Sequence, residues 1–302
     1  MRDRLRSTRH TYRAARARLG RLARRPTAHQ PTASEGIARA LAELEGFAVD
    51  ANEVVVTETD VGRLLLHADD QVMTPLIQRD HLWEAPEGRF LRGAIRPGAT
   101  VVDVGANVGY MTLLSARAAG RRGQVLAVEP EQANLALLRA NVWLNGTWNV
   151  KVLPVAAWSR RELLPLRFNA DNRGDHQVGV AGGGGSARLV PAVPLDELLG
   201  EMVVDVVKID TQGSDHEALA GLSATLARSP AAAVLIEFWL GGFDERGISP
   251  RAVLGGYRNA GFSVALLQDS GHERPASDDE VMAACEGWQG RFVNLVLRRA
   301  ER

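Results

Sequence analysis

The sequence predicts an α/β protein with a mostly parallel sheet and helices on both of its faces. From residue 99 onward, short apolar runs of strand length alternate with longer stretches of helix length, an order typical of parallel strands joined by crossover helices. One apolar run, Val101–Val104, leads into a turn with glycines at 105 and 109 and then into a run of small residues. A strand, a glycine turn and a helix in this order open nucleotide-type α/β units.

The alternating region, residues 99–302, contains seven predicted strands and four predicted helices. The strands are Val101–Val104, Val125–Val128, Lys151–Val155, Val203–Ile209, Ala232–Phe238, Ser263–Leu267 and Phe292–Leu297. The helices are Val108–Ala119, Gln132–Asn145, Ser214–Ala227 and Pro250–Ala260.

Residues 36–98 are predicted to form an extension that precedes this sheet. We expect a short helix over 36–46, and β-like runs at Glu53–Thr57 and Arg63–His67 flank a Thr-Asp-Val-Gly turn, which favours a hairpin. Helical patterns follow at Gln71–Arg79 and Phe90–Ile95, and a Pro-Gly turn then leads into the first strand of the sheet.

A long polar connection between Ala157 and Val193 interrupts the alternation of strands and helices. Connections of this length in a compact domain are usually functional or disordered. The apolar runs Leu163–Phe168 and Ala187–Val193 form a candidate hairpin, and we expect the glycine run at 182–185 to be mobile.

Composition is that of an ordinary globular protein, with 45% apolar and 24% charged residues. The single cysteine excludes an internal disulfide framework and a Cys-based zinc site, and we expect a cytoplasmic protein. Net charge is zero, but residues 1–25 carry ten Arg and one Asp. We interpret residues 1–35 as a mobile leader and linker, and contact with an acidic partner is the alternative.

The glycine turn and the end of the next strand point to an adenosine-type ligand. The glycines lie four apart in the pattern D-x-G-x-x-x-G that starts at Asp103, unlike the G-x-G-x-x-G of dinucleotide sites. Twenty residues after Gly109, Glu129 ends the second strand, where a carboxylate can accept hydrogen bonds from both ribose hydroxyls. Together the two features resemble the S-adenosylmethionine (SAM) site of class I methyltransferases, and another adenosine-type ligand is the alternative.

A second segment makes the resemblance more specific. From Lys208 it reads Lys-Ile-Asp-Thr-Gln-Gly-Ser-Asp-His-Glu-Ala-Leu-Ala-Gly. With the Asp103–Tyr110 block, it resembles the FkbM family of SAM-dependent methyltransferases, whose signature is Lys-Ile-Asp-x-(Glu/Gln)-Gly-x-Glu-x-x-x-Leu-x-Gly. Asp215 replaces the usual Glu of that signature. The likeness covers residues 50–300.

The resemblance implies a class I methyltransferase fold with a seven-stranded sheet and a late antiparallel strand pair. It also implies methylation of hydroxyl groups on sugars, polyketides or other secondary metabolites, with SAM as cofactor, S-adenosylhomocysteine (SAH) as product and no metal ion. Two Lys among 36 basic residues, with abundant Ala and Gly, suggest a bacterium with a GC-rich genome and a secondary-metabolite pathway.

Candidate SAM contacts lie at the carboxyl ends of the predicted strands and just beyond them, where ligands of open α/β sheets bind. They are Asp103, Gly105, Ala106, Asn107, Gly109, Tyr110, Glu129, Pro130, Asn134, Ala156 and Asp210. Ala156 follows the third strand, where a small residue leaves room for adenine. Asn107 either contacts the methionine part of SAM or only stabilises the turn.

The candidate catalytic residues are His176, Asp210 and Lys208. Methyl transfer to a hydroxyl group requires alignment of the reactants and removal of a proton. We expect His176, in the polar connection, to be the base, because a neutral imidazole accepts protons near neutral pH, and Asp210 is the alternative base. Lys208 and Asp210 share one face of a strand, either as part of the catalytic site or as a structural ion pair.

Two other functions stay open at this stage. One is a SAM-binding or nucleotide-binding module without methyl transfer, against which the Lys208–Asp210 pair and the polar connection argue. The other is a methyltransferase for a nucleic acid or another macromolecule, although the Asn/Asp-Pro-Pro-Tyr/Phe signature of amino-group methyltransferases is missing after the fourth strand. We expect a small hydroxylated acceptor, no membrane span, and a chain compatible with a homodimer.

Overall fold

The computed structural model describes residues 53–180, 188–287 and 290–299. The leader over residues 1–35, the helix expected over 36–46 and the glycine run at 182–185 lie outside these ranges. The described strands are β1 Val54–Thr59, β2 Gly62–His67, β3 Thr100–Val104, β4 Gln124–Val128, β5 Val150–Leu153, β6 Ala156–Ala157, β7 Glu162–Arg167, β8 Gln177–Val178, β9 Arg188–Val193, β10 Val206–Ile209, β11 Ala233–Trp239, β12 Phe262–Leu267, β13 Glu273–Pro275 and β14 Phe292–Arg299. The described helices are α1 Met73–Asp80, α2 Ala85–Ala94, α3 Tyr110–Ala119, α4 Gln132–Leu144, α5 Leu195–Leu199, α6 Asp215–Ala220, α7 Ser223–Arg228, α8 Leu240–Arg246, α9 Pro250–Asn259 and α10 Asp278–Glu286.

Eight of the described strands form the central sheet, in the order β13-β12-β14-β11-β10-β3-β4-β5. Strands β5, β4, β3, β10 and β11 are parallel, and β14 is antiparallel to both of its neighbours. The chain builds outward from β3 to β5 and then crosses to the other side of β3 to add β10. This order confirms the predicted Rossmann-like α/β fold and opens a crevice at the carboxyl ends of β3 and β10.

The central strands are buried on both faces, which explains their continuous apolar runs in the sequence. Alternate residues of each strand point into different cores. One core contains Val101 and Leu235 and is covered by the β1–β2 hairpin and helices α1 to α4. The other contains Val102 and Ile236 and is covered mainly by helices α5 to α10.

The described sheet has eight strands where the sequence predicts seven. The additional strand, β13, consists of three exposed residues that pair with β12 at the edge of the sheet. A strand of three exposed residues carries no apolar alternation that a sequence pattern could show.

The helix predicted over Ser214–Ala227 is two helices, α6 and α7. They meet at Gly221, where an added Cβ would lie 2.1 Å from the carbonyl oxygen of Trp158. The chain therefore turns at a close backbone contact, which the helical pattern of the sequence does not reveal. Helices α5, α8 and α10 were not predicted, and α5 and α8 have at most seven residues.

The polar connection folds into a second sheet, whose described strands have the order β6-β9-β7-β8. The predicted pairing of the two apolar runs is confirmed, because β7 and β9 are antiparallel and place Leu164 opposite Val190. The two strands do not form a simple hairpin, since β8 lies between them in the chain and pairs with the other edge of β7. Trp158, Leu166 and Val178 belong to a small separate core on this sheet. Residues 168–176 connect β7 to β8 as a polar loop.

The predicted hairpin of the extension is also confirmed, as β1 and β2 are antiparallel. Helix α4 holds this hairpin through Asn141, whose side chain is fully buried. The Asn141 Oδ1 accepts a hydrogen bond from the Leu65 amide at 2.7 Å, and its Nδ2 donates to the carbonyl oxygens of Leu65 at 3.0 Å and Val108 at 2.8 Å. One side chain thus joins the hairpin to the glycine turn. Within the described ranges, no helix has the length and apolarity needed to cross a membrane.

Replacement of Asn141 by alanine should lower the free energy of unfolding by about 2–4 kcal/mol, because buried backbone groups then lose their partners. Urea denaturation followed by circular dichroism measures the loss. The control Gln132→Ala changes an exposed position of the same helix and should alter the free energy by less than about 0.5 kcal/mol. An Asn141→Ala protein as stable as the control would contradict the role of this side chain.

Candidate functional site

A cavity of about 340 Å³ opens at the carboxyl ends of the parallel strands. Residues after β3, β4 and β10 line it, together with parts of the extension and of the second sheet. The predicted SAM contacts that line the cavity are Gly105, Ala106, Asn107, Gly109, Tyr110, Glu129, Pro130, Asn134, Ala156 and Asp210. The candidate catalytic residues His176, Lys208 and Asp210 line it as well. The fold therefore brings together nearly all of the residues that the sequence singles out.

Asp103 is the predicted contact that does not line the cavity. Its side chain is buried, and Oδ2 accepts a hydrogen bond of 2.5 Å from the Thr112 hydroxyl of α3. Burial raises the pKa of Asp103, and the positive charge of Lys208 opposes this rise. In this structure the Asp103 side chain connects the end of β3 to helix α3 through this hydrogen bond.

The glycine turn needs backbone conformations that favour glycine. Gly105 has φ 76°, and an added Cβ there would lie 1.8 Å from the carbonyl oxygen of Asp210. Gly109 has φ 98°, and a Cβ would lie 2.6 Å from Leu138. Asn107, between them, has φ 49°, and its Oδ1 accepts a hydrogen bond from the next amide at 2.6 Å. The turn therefore passes close to β10 and leaves its backbone accessible to a ligand.

Glu129 is buried at the end of β4, and both of its carboxyl oxygens accept backbone hydrogen bonds. Oε2 accepts from the Asn107 amide and Oε1 from the Glu131 amide, each at 2.9 Å. Burial raises the pKa of Glu129 to about 7, although the two backbone hydrogen bonds oppose the rise. This carboxyl group therefore changes its charge near neutral pH, directly beside the glycine turn.

Lys208 and Asp210 form an ion pair, with 3.0 Å between Nζ and Oδ2. Burial by itself would lower the pKa of Lys208, but the carboxylates of Asp210, Asp103 and Glu84 raise it, so the ammonium group stays charged. The Asp210 Oδ1 accepts a hydrogen bond from the Gln212 side chain at 2.8 Å. Both oxygens of Asp210 are thus already bonded.

Two further carboxyl groups, Glu84 and Glu237, line the cavity. Glu237 lies near the carboxyl end of β11, and its Oε2 is buried without a hydrogen-bond partner among the described residues. Burial raises the pKa of Glu237 and of Glu84 well above the ordinary value, and the charge of Asp210 adds to both shifts. Glu237 falls near the end of the predicted strand Ala232–Phe238, whereas the sequence gives no signal for Glu84, because the turn before α2 matches no motif. The described side chains contain no group of three His, Cys, Asp or Glu that could hold a metal ion.

The polar loop of the second sheet is fixed on two sides at Arg173. The Arg173 amide donates a hydrogen bond of 2.6 Å to Asp70, and its guanidinium group pairs with Asp69. The Arg173 carbonyl oxygen accepts a hydrogen bond of 3.1 Å from the Asn107 side chain. The loop therefore connects the extension to the glycine turn.

His176 lies at the end of this loop, and its ring meets Phe168 edge-on, with 5.2 Å between the ring centres. Its Nδ1 accepts a hydrogen bond of 3.1 Å from the Asn169 amide. Because an amide N–H only donates, the neutral ring carries its proton on Nε2, which is buried and has no partner among the described residues. Burial lowers the pKa of His176 and favours this neutral form. A base that acts through Nε2 needs the other tautomer, so the geometry does not favour the role expected from the sequence.

The sequence model described as the methyltransferase FkbM domain matches residues 103–262, and no curated protein gives a significant match. Among solved structures, an rRNA methylase from Streptococcus thermophilus matches at 14% identity and TM-score 0.43, covering 71% of this chain and 94% of its own. A provisionally assigned O-methyltransferase from Klebsiella pneumoniae matches at 15% identity and TM-score 0.45, covering 90% and 92%. A TehB-like SAM-dependent methyltransferase from Corynebacterium glutamicum matches at 12% identity and TM-score 0.41, covering 75% and 94%.

Gly105→Ala should destabilise the protein more than Gly98→Ala. Both glycines have positive φ, 76° and 92°, so alanine costs about 1–2 kcal/mol of backbone strain at either position. At position 105 the new Cβ also collides with the Asp210 carbonyl, whereas at position 98 no atom of the described residues lies within 4 Å. Thermal denaturation of the two variants makes the comparison. Equal losses would show that the ends of β3 and β10 separate at little cost.

Proposed function

Because the chain belongs to the methyltransferase FkbM domain family, we propose that it transfers a methyl group from SAM to a hydroxyl group of a small molecule, without a divalent metal ion. The observation that carries the cofactor assignment is the position of Glu129. Glu129 lies at the end of β4 and lines the cavity, and its carboxyl group accepts a hydrogen bond from the backbone of the glycine turn. This is where a SAM-type site needs a ribose acceptor.

The residues that line the cavity fit such a cofactor. The glycines at 105 and 109 let the turn pack closely against Asp210 and Leu138, and the turn lines the cavity. The small side chain of Ala156, which also lines the cavity, leaves room for an adenine ring after β5. We assign Glu129 to the ribose hydroxyls and Asn107 and Asn134 to the neighbouring polar groups. SAM, when bound, supplies a methyl group on a positively charged sulfur.

We assign the acceptor to the side of the cavity that His176, Lys208 and Asp210 form. The Lys208–Asp210 pair holds Gln212 and a fixed set of charges at the end of β10. Groups held in this way do not reorganise during a reaction, which is the main requirement for electrostatic catalysis. The polar loop that ends at His176 covers this side and fits an acceptor with several polar groups.

Calorimetry with SAH and transfer of radiolabelled methyl groups from SAM test the proposal. The acceptors offered are monosaccharides, nucleotide sugars, macrolide aglycones and, as the competing class, total RNA. We expect micromolar binding of SAH and label in one class of small hydroxylated compound. Label in RNA alone would show a nucleic-acid methyltransferase, and SAH binding without any transfer would favour a non-catalytic module.

The affinity for SAH should increase as the pH rises from 6 to 8. The pKa of Glu129 is raised to about 7, so the carboxyl group is protonated below this pH and becomes a charged acceptor for the ribose hydroxyls above it. Glu129→Gln should weaken binding at pH 8 by about 1–3 kcal/mol and remove this pH dependence. Calorimetry at several pH values measures both effects.

The matched control for this experiment is Glu201→Gln, which removes an exposed carboxylate and should leave the affinity and its pH dependence unchanged. If Glu129→Gln binds SAH as tightly as the control does at pH 8, the assignment of Glu129 to the ribose is wrong.

A further inference from the structure

Transfer of a methyl group to a hydroxyl group releases the hydroxyl proton, and a positioned side chain that accepts this proton speeds the reaction. With Glu129 assigned to the ribose, the carboxyl and imidazole groups that remain among the described lining residues are Glu84, His176, Asp210 and Glu237. These four residues differ in the hydrogen bonds of their side chains and in the secondary structure of their backbones. The differences favour one of them as the proton acceptor. The selection rests on the proposed function, because it presupposes a hydroxyl acceptor.

The free lone pair of the His176 ring is occupied, and both oxygens of Asp210 already accept hydrogen bonds. The Nδ1 lone pair of His176 is taken by the Asn169 amide, and Nε2 carries the proton. Asp210 accepts one hydrogen bond from Lys208 on Oδ2 and another from Gln212 on Oδ1. A proton arriving at either group would compete with an existing bond that holds the site together.

Glu237 differs from these residues in the hydrogen bonds of its side chain and in the position of its backbone. Its Oε2 has no hydrogen-bond partner among the described residues. Its backbone lies within β11, opposite Asn294 of β14 and one residue beyond the last pair that β11 forms with β10. A side chain carried by a central strand is held more accurately than one on a turn. Glu84 is such a turn residue, at the start of α2 with φ 44°.

The charges around Glu237 also favour proton uptake. The groups that face it are Asp210 and Lys208 from the β10 side, Asp215 from α6 and Glu84 from the turn before α2. Three of these four are carboxyl groups, and burial together with their charges raises the pKa of Glu237, which Lys208 opposes. A carboxylate with a raised pKa is a stronger base than one in water.

We propose that Glu237 is the general base of this methyltransferase and that His176 is a positioning residue, which fixes the polar loop through its bond to Asn169. The O–H bond of the acceptor breaks, and its proton goes to a Glu237 oxygen. The acceptor oxygen forms a bond to the methyl carbon, and the bond from that carbon to sulfur breaks with its electron pair left on sulfur.

The first test needs no acceptor. Sinefungin carries an amine where SAM carries its transferable methyl group, so its ammonium group reports charges near the reacting position. We expect Glu237→Gln to lower the affinity for sinefungin by about tenfold or more, because the ammonium group of sinefungin loses a charge-assisted hydrogen bond. The affinity for SAH, which has no such group at this position, should change by less than about twofold. Glu84→Gln is the comparison variant, because it removes another carboxyl group from the same cavity, and it should weaken the binding of sinefungin less than Glu237→Gln does. Calorimetry at pH 8 gives both affinities for each protein.

The second test uses the compound class that accepts label from wild-type protein. Glu237→Gln should lower kcat by about 10²–10⁴-fold and abolish the rise of kcat with pH. His176→Asn keeps an oxygen near the position of Nδ1, so the pH-dependent rise should persist in that variant with a loss of kcat below about tenfold.

The outcomes separate this assignment from the proposed function. Wild-type protein that binds neither SAH nor sinefungin contradicts the proposed function itself. Normal binding with an unchanged ratio of sinefungin to SAH in Glu237→Gln, or loss of the pH-dependent step in His176→Asn instead, overturns the assignment of Glu237. A change of that ratio confined to Glu84→Gln would also overturn it and move the role to Glu84.

Discussion

The buried ammonium group of Lys208 is the constraint on which the site depends. It lies in β10 opposite Asp103 of β3 and pairs with Asp210 at the end of its own strand. An unpaired charge at such a position would cost several kcal/mol, so the lysine and its carboxylates are stable only as a set. This set lies where the strand order reverses, and it holds β3 and β10 together at the mouth of the crevice. Gly105 also allows the two strands to lie close together, because it has no Cβ to collide with the carbonyl oxygen of Asp210.

The surplus of carboxyl groups around this lysine gives the cavity its chemical character. Glu84 and Glu237 face the same interior as Asp210, and each raises the cost of ionising the others. Such a site favours ligands that bring positive charge or donate hydrogen bonds. The sulfonium and ammonium groups of SAM meet this condition.

Much of this arrangement could be predicted from the sequence, because local patterns determine it. Strands buried on both faces require continuous apolar runs, as in Val101–Val104, and a turn with positive φ requires the glycines at 105 and 109. Parts that depend on individual contacts in the folded chain could not be predicted. The break at Gly221 depends on the backbone at Trp158, and the tautomer of His176 depends on one amide of its own loop. Glu84 enters the cavity from an extension that no motif marks.

The salt bridge between Arg173 and Asp69 has a consequence for how this fold diversifies. The polar loop that lines one side of the cavity is inserted after β5, yet its position depends on Asp69 and Asp70, which precede the sheet by some thirty residues of sequence. The insertion is therefore not a self-contained module. A chimera that takes the insertion from a relative with another acceptor would inherit the loop without its anchor, unless the residues after β2 are exchanged with it. On the proposed assignment of the acceptor to this side of the cavity, a change of acceptor requires changes in two separated segments of the chain.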